Sequence, residues 1–221
     1  MKYWKELLEL YNLIDGRGEK KMEHYFIEEP KTPLKIVQAK LRLKNGHIYL
    51  FKTPSGVFSF KRIDKATKLL IENCLIHGKD ILDIGCGYGV IGITLKLENP
   101  DINIYMSDIN KRAAEFAKIN AKDNNIVAEI RQGDLYECWK GYKFDMIISN
   151  PPIVAGKKVW QKLIDGAYEH LKSGGSLQLV AYHNKGGKSI AKYMETVFKN
   201  VDYLVKEGGI RVYISKKGAG E

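Results

Sequence analysis

Four polar residues stand at the ends of four apolar runs in this sequence: Asp83, Asp108, Asp134 and Asn150. The last of them opens Asn150-Pro151-Pro152-Ile153. An asparagine side-chain carbonyl and the backbone carbonyl of Pro151 can each accept one hydrogen of an NH₂ group. Two acceptors so placed favour pyramidal geometry at a planar exocyclic amine and free its lone pair to attack an electrophilic carbon. Proline adds no competing N–H, and two prolines in succession fix the φ angles of the loop. Rate then comes from alignment and desolvation, without a strong general base.

The electrophile's carrier is read from Asp83-Ile84-Gly85-Cys86-Gly87-Tyr88-Gly89. An apolar run passes into alternating glycines, and an apolar helical pattern begins at Val90: a strand, a tight turn and a helix N-terminus. Glycine permits φ > 0 and leaves room for a ligand, and the helix start offers free N–H groups. Gly87-x-Gly89-x-x-Gly92 also satisfies the dinucleotide fingerprint. A pyrophosphate at that helix start gains nothing from a carboxylate one turn upstream, however. A ligand carrying a cation and an amino group, such as S-adenosylmethionine, is served by Asp83 directly or through water.

Asp108 follows Gly87 by 21 residues. A carboxylate there, an acceptor-only group, can take both hydroxyls of a ribose, with Ile109 beside it at the cofactor. It is also compatible with the lesser role of capping the helix that begins near Asn110. Asp134 can accept the exocyclic amine of an adenine, with Gly133 keeping the approach open; a turn-forming aspartate is the plainer alternative. Cys86, between two motif glycines, reads as a small filler and not a nucleophile.

The elements that must position these groups follow from hydrophobic periodicity. Residues 1–20 carry apolar residues at helical spacing and close at Asp15-Gly16-Arg17-Gly18. From Lys35 the period becomes two, Asn45-Gly46 is a hairpin turn, and His47–Lys52 returns, so a basic β-hairpin is expected within residues 35–60. A helix runs from an Asp64 N-cap to Asn73. Strands at Asp80–Ile84, Ile102–Ser107, Ile126–Gln132, Phe144–Ser149 and Ser176–Tyr182 alternate with helices at Val90–Glu98, Lys111–Lys122, Val159–Leu171 and Ser189–Asn200. A closing hairpin, Val201–Val205 with Ile210–Ser215, completes the pattern. The expectation is α/β: a doubly wound, mostly parallel seven-stranded sheet with one antiparallel strand. In such a sheet ligands bind outside the carboxyl ends of the strands, where all four polar residues fall.

The spacing Asp83-x-Gly85-x-Gly87 resembles the first motif of class I S-adenosylmethionine-dependent methyltransferases, whose sheet closes with the same hairpin. Asn-Pro-Pro followed by an aromatic or Ile resembles methyltransferases of exocyclic amines: adenine N6, guanine N2 and glutamine N5. Ser55-Gly56-Val57-Phe58-Ser59, Asp64-Lys65-Ala66-Thr67-Lys68-Leu69-Leu70 and Ser149-Asn150-Pro151-Pro152-Ile153, taken together, are similar to the small-domain ribosomal RNA methyltransferases, which include the RsmC-type guanine-N2 enzymes. The resemblance covers roughly residues 24–217, with residues 1–21 as an extension before a domain over residues 22–221. It implies cofactor contacts at Asp83, Gly85, Asp108 and Asp134, catalysis at Asn150, and a pocket flanked by Phe58 and Asp64. RsmC-type enzymes are longer, with a second related domain, and carry an aromatic where Ile153 stands.

The totals agree with an enzyme acting on a polyanion. Net charge is +10, and from Lys35 to Lys68 there are nine Lys or Arg residues against a single acid, Asp64, interleaved with Tyr49, Phe51, Phe58 and Phe60. Such a stretch suits nucleic acid, and the resemblance implies that this is ribosomal RNA. Three widely spaced cysteines (Cys74, Cys86, Cys138) give neither disulfide-framework nor metal-site spacing, which favours a reducing cytoplasm. No apolar run approaches the ~18 residues of a membrane span. Competing readings are a protein glutamine-N5 or adenine-N6 methyltransferase, an RNA-binding module with a vestigial site, and an NAD-dependent oxidoreductase that lacks any evident hydride-transfer pair.

Overall fold

The computed structural model describes residues 28–30 and 32–218. The helix expected over residues 1–20, and with it the boundary near residue 21, lies outside them. The first described elements are β1 (Ile36–Arg42) and β2 (Ile48–Pro54), an antiparallel hairpin in which Lys40 faces Leu50 and Gln38 faces Lys52. Alternation sends Ala39, Leu41, Leu43 and Phe51 into the core and leaves Ile36, Lys40, Arg42, Ile48 and Leu50 outside. The hairpin is shorter than the expected 35–60. Pairing stops at Pro54, which has no N–H to extend the ladder, and residues 57–60 form a turn in which Ser59 takes φ 63°.

Helix α1 (Lys65–Asn73) begins at Asp64, whose Oδ2 accepts from the Ala66 and Thr67 amides at 2.9 and 3.1 Å. The expected N-cap is therefore the observed one. The sheet then comprises β3 (Asp80–Ile84), β4 (Asn103–Asp108), β5 (Glu129–Gln132), β6 (Phe144–Ser149), β7 (Leu171–Tyr182), β8 (Asp202–Glu207) and β9 (Ile210–Lys216). Their order is β5-β4-β3-β6-β7-β9-β8, parallel except for β9, which is antiparallel to both neighbours. Intervening helices are α2 (Val90–Glu98), α3 (Lys111–Asp123), α4 (Lys157–His170) and α5 (Lys188–Phe198).

Several boundaries differ from the periodicity for local reasons. The chain leaves α3 with the Ile126 amide still bonded to the Ala121 carbonyl, so β5 starts only at Glu129. Gly156, at φ 103°, turns the chain directly into α4 two residues before Val159. Helix α5 ends at Phe198 because Lys199 adopts the left-handed conformation at φ 62°.

Both faces of the sheet are covered, as parallel strands require. Period two sends Ile81, Met106, Met146 and Ile148 toward α1, α2, α3 and the β1–β2 hairpin. Leu82, Ile84 and Ile147 face α4 and α5 together with Trp139 and Phe144. Gly92 lets α2 lie close on β4, since a Cβ there would come within 2.6 Å of Met106 Sδ. The fingerprint's third glycine thus serves helix–sheet packing. These layers hold the carboxyl ends of five neighbouring strands in one rim.

Candidate active site

A cavity of about 390 Å³ opens at that rim. Its floor is the glycine turn between β3 and α2. Gly85, Gly87 and Gly89 all adopt positive φ (71°, 57° and 91°), a conformation that carries a penalty of ~1–2 kcal/mol for a residue with a Cβ. The Gly85 and Cys86 amides donate to the Ser107 carbonyl at 2.8 and 3.0 Å, which seats the turn against β4. A Cβ at Gly85 or Gly87 would meet no atom nearer than 3.9 or 4.0 Å. These two glycines therefore leave space on the cavity side, as a ligand-bearing turn needs.

Asp108 lines the cavity, with Oδ2 accepting from the Gly87 amide at 2.8 Å and Oδ1 from the Asn110 amide at 2.9 Å. Each oxygen keeps a further lone pair for a hydroxyl donor. The alternative role as a helix cap falls to Asn110, whose side chain accepts from the Ala113 amide at 3.1 Å. Burial raises the Asp108 carboxyl to about 6, against the pull of its two amide donors.

Asp83 is fully buried and stands behind the cavity wall instead of lining it. Oδ2 accepts from the Gly92 amide at 2.9 Å, while Oδ1 has no hydrogen-bond partner. Burial, with a lesser contribution from the Asp108 charge, lifts this carboxyl to about 7. Gly133, Asp134 and Ile109 all line the cavity, and the Gly133 amide bonds the Asp108 carbonyl at 3.1 Å. Cys86 also lines it, as a buried thiol raised well above its usual range, chiefly by burial.

Asn150 emerges from β6 beside the glycine turn, and Ser149 ties the two strand ends together by donating to the Ile84 carbonyl at 2.7 Å. The Asn150 amide nitrogen donates to Thr67 Oγ1 at 2.9 Å and to Asp64 Oδ2 at 3.3 Å. A carboxylate accepts only, so the NH₂ group must be the one facing α1, and Oδ1 is turned the other way. Pro151, Pro152 and Ile153 continue the wall. The Pro151 carbonyl already accepts from the Ile153 amide at 2.9 Å, which leaves it one lone pair for a second acceptor role.

Thr67 was not apparent as a site residue from the sequence. The available signal was a threonine three positions after a helix cap, where a side chain points back toward the helix start. Asp64 and Phe58 both border the cavity, with Phe58 42% exposed. The 55–60 segment that carries Phe58 is pinned by the Asn110 side chain to the Gly56 carbonyl (3.0 Å), by Arg112 to the Ser55 carbonyl (2.8 Å), and by Tyr88 to the Ser59 carbonyl (3.2 Å). Tyr182 and Lys185 complete the opposite wall from the end of β7.

The family described as "Methyltransferase small domain" matches residues 48–214 of the chain. The uncharacterized protein YbxB of Bacillus subtilis is 38% identical over 200 residues, covering 88% of this chain and 98% of that protein. Ribosomal RNA small subunit methyltransferase C of Aeromonas hydrophila is 34% identical over 168 residues, 73% of this chain and 47% of that one. Among solved structures, the 16S rRNA N2 G1207 methyltransferase (RsmC) of T. thermophilus, in complex with AdoMet and guanosine, superposes with a TM-score of 0.70 at 22% identity. That alignment covers 84% of this chain and 51% of the other, and it is a likeness of fold. The chain thus spans about half the length of the ribosomal RNA methyltransferases it matches and nearly all of the B. subtilis protein.

Proposed function

Because the chain belongs to the methyltransferase small domain family, we propose that it methylates an exocyclic amine of RNA, guanine N2 of ribosomal RNA, with S-adenosylmethionine as donor. The observation that carries this reading is the fixed Asn150 amide, held by Thr67 and Asp64 in the same cavity as an open glycine turn. The residues present fit the donor. Gly85 and Gly87 leave space for it on the cavity side, Asp108 keeps lone pairs for a ribose, and Asp83 Oδ1 is a buried oxygen without a partner beneath the turn. Asp83 acts through the turn or a water, since it stands behind the cavity wall.

When bound, the donor supplies an electrophilic methyl group on a sulfonium sulfur. Asn150 Oδ1 and the remaining lone pair of the Pro151 carbonyl accept the two amine hydrogens and orient the nitrogen lone pair. Methyl transfer would leave a surplus proton on the amine nitrogen, which Asn150 Oδ1 and the Pro151 carbonyl would hold until it passes to solvent. No strong base is required, and rate depends on how rigidly Asn150 is held.

RNA is favoured over a protein amide by the charge of +10 and by the outer face of β1, where Lys40 and Arg42 stand clear of the core. The relatives named for ribosomal RNA methylation point the same way. Transfer of tritiated methyl to total RNA, followed by nucleoside analysis, tests the proposal. Label in N2-methylguanosine is expected; label in protein glutamine with RNA unlabelled would overturn it.

A further inference from the structure

The acceptor must enter the cavity as a single nucleotide, since a cavity of about 390 Å³ has no room for a duplex. An enzyme that reaches into a base takes it out of the stack, and the flanking phosphates then lie at the cavity mouth. One side of that mouth is built by the segment after β7. Tyr182 and Lys185 line the cavity, and Gly186, at φ 103°, lies against Ile153, where a Cβ would come within 2.5 Å of Cγ2. The β8–β9 hairpin backs this segment, with the His183 amide bonded to the Gly209 carbonyl at 2.9 Å. The hairpin tip in turn meets α1, since a Cβ at Gly208 would be 3.1 Å from Lys65 Nζ.

Positive charge gathers along this path. Lys65, Lys185, Lys188 and Lys206 are exposed, and none makes an ion pair within the described residues. His183 reports the same field: burial, then the charges of Arg211, Lys188 and Lys206, push its imidazole below the ordinary range. Glu207 is the acid of the hairpin tip. Aromatic surface lies among the cations, with Tyr182 39% and Tyr203 37% exposed and Lys206 Nζ 4.3 Å from the Tyr203 ring centroid. Cations interleaved with exposed rings are the features that hold a single strand without reading its sequence.

We propose that the RNA strand flanking the acceptor nucleotide runs over the 183–188 segment and the β8–β9 hairpin, its phosphates held by Lys185, Lys188 and Lys206. The proposal rests on the RNA reading above. It adds a surface that the basic stretch of residues 35–68 did not point to, apart from Lys65. Val57, Phe58, Ser59, Ile63 and Asp64, which follow β2, line the cavity together with Tyr182 and Lys185.

The test is the salt dependence of binding to a fluorescently labelled single-stranded RNA containing guanosine. Each single-strand phosphate that a lysine no longer neutralises lowers the slope of log K against log salt by ~0.7. The triple variant Lys185→Gln, Lys188→Gln, Lys206→Gln is expected to lose about 2 from that slope. Its melting temperature should stay at the wild-type value, and the double variant Lys188→Gln, Lys206→Gln, which leaves the cavity lining untouched, should also keep the wild-type S-adenosylmethionine affinity by calorimetry. A folded, cofactor-binding triple variant that keeps the wild-type slope overturns the surface and leaves the RNA reading standing. Wild-type chain that fails to bind the RNA at low salt, while methylating protein in an extract, overturns both. Should the triple variant not fold, the single substitutions Lys188→Gln and Lys206→Gln, each expected to remove ~0.7 of slope, decide the matter by the same criterion.

Discussion

If Thr67 acts only by holding Asn150, a double-mutant cycle between them has a definite shape. Thr67→Val keeps the side chain's volume and removes the oxygen that accepts from the Asn150 amide at 2.9 Å, leaving the longer 3.3 Å bond to Asp64. Loss of one neutral hydrogen bond is worth ~1 kcal/mol, about a fivefold fall in the methyl-transfer rate at 1.36 kcal/mol per decade. Asn150→Ala removes the acceptor itself. By comparison with the loss of one preorganised polar group at other active sites, ~2.7–4 kcal/mol, the rate should fall by about 10² or more. Cofactor affinity should be nearly unchanged in both, because Asn150 faces the acceptor. In the Asn150→Ala background Thr67→Val should do nothing further, an interaction equal to its full single effect. The assay is single-turnover transfer of tritiated methyl at saturating RNA, with cofactor binding followed by calorimetry. Additive rate effects, or equal losses of binding and rate, would show that Thr67 and Asn150 do not work as this unit.

The acids beneath and beside the turn make stability depend on pH. Asp83 and Asp108 are raised to about 7 and about 6 in the folded chain from the usual 3.8. A carboxyl with a raised folded pKa stabilises most fully below about 4 and loses that contribution as pH climbs through the folded value. The cofactor-free protein should therefore melt at lower temperature as pH rises from 4 to 7, and Asp83→Asn should flatten that dependence; scanning calorimetry across the range reads both. Gly85→Ala puts a Cβ on the cavity side at φ 71° and should cost ~1–2 kcal/mol of stability together with at least a tenfold loss of S-adenosylmethionine affinity, checked by titration calorimetry. Undiminished affinity would show that the turn does not touch the donor. Charge reversal of Lys40 and Arg42 on the outer face of β1 should weaken RNA binding and flatten its salt dependence; an unchanged slope would remove that hairpin from the RNA path.

The order of elements and the turn were legible because both depend on neighbours in sequence. Alternating apolar residues show a strand, an Asn-Gly pair shows a hairpin, and Asp83-x-Gly85-x-Gly87 is a local device whose φ angles are glycine's to take. The Asp64 cap was readable for the same reason. Errors arose where a boundary was set by something the periodicity does not carry. Pro54 ends the β1–β2 ladder ahead of residues 57–60, and Gly156 starts α4 before its first apolar residue. No helix among the described residues is long and apolar enough to cross a membrane.

Sequence by itself determined which side chains this protein has for its chemistry and which strand ends they occupy. It could not assign them distances. Asn150 meets Thr67 across 83 positions and Asp64 across 86, so the orientation of its amide exists only once the start of α1 is brought to the end of β6. The separation of Asp83 from Asp108 is of the same kind. They stand at the ends of neighbouring strands and each bonds an amide of the glycine turn or the helix after it, yet one is sealed beneath α2 and the other opens to the cavity. Burial is a property of the layers stacked above a residue, and those layers come from distant parts of the chain. The lysines of α1, the 183–188 segment and β8 are scattered in sequence for the same reason, and the order of strands β7-β9-β8 is what gathers them.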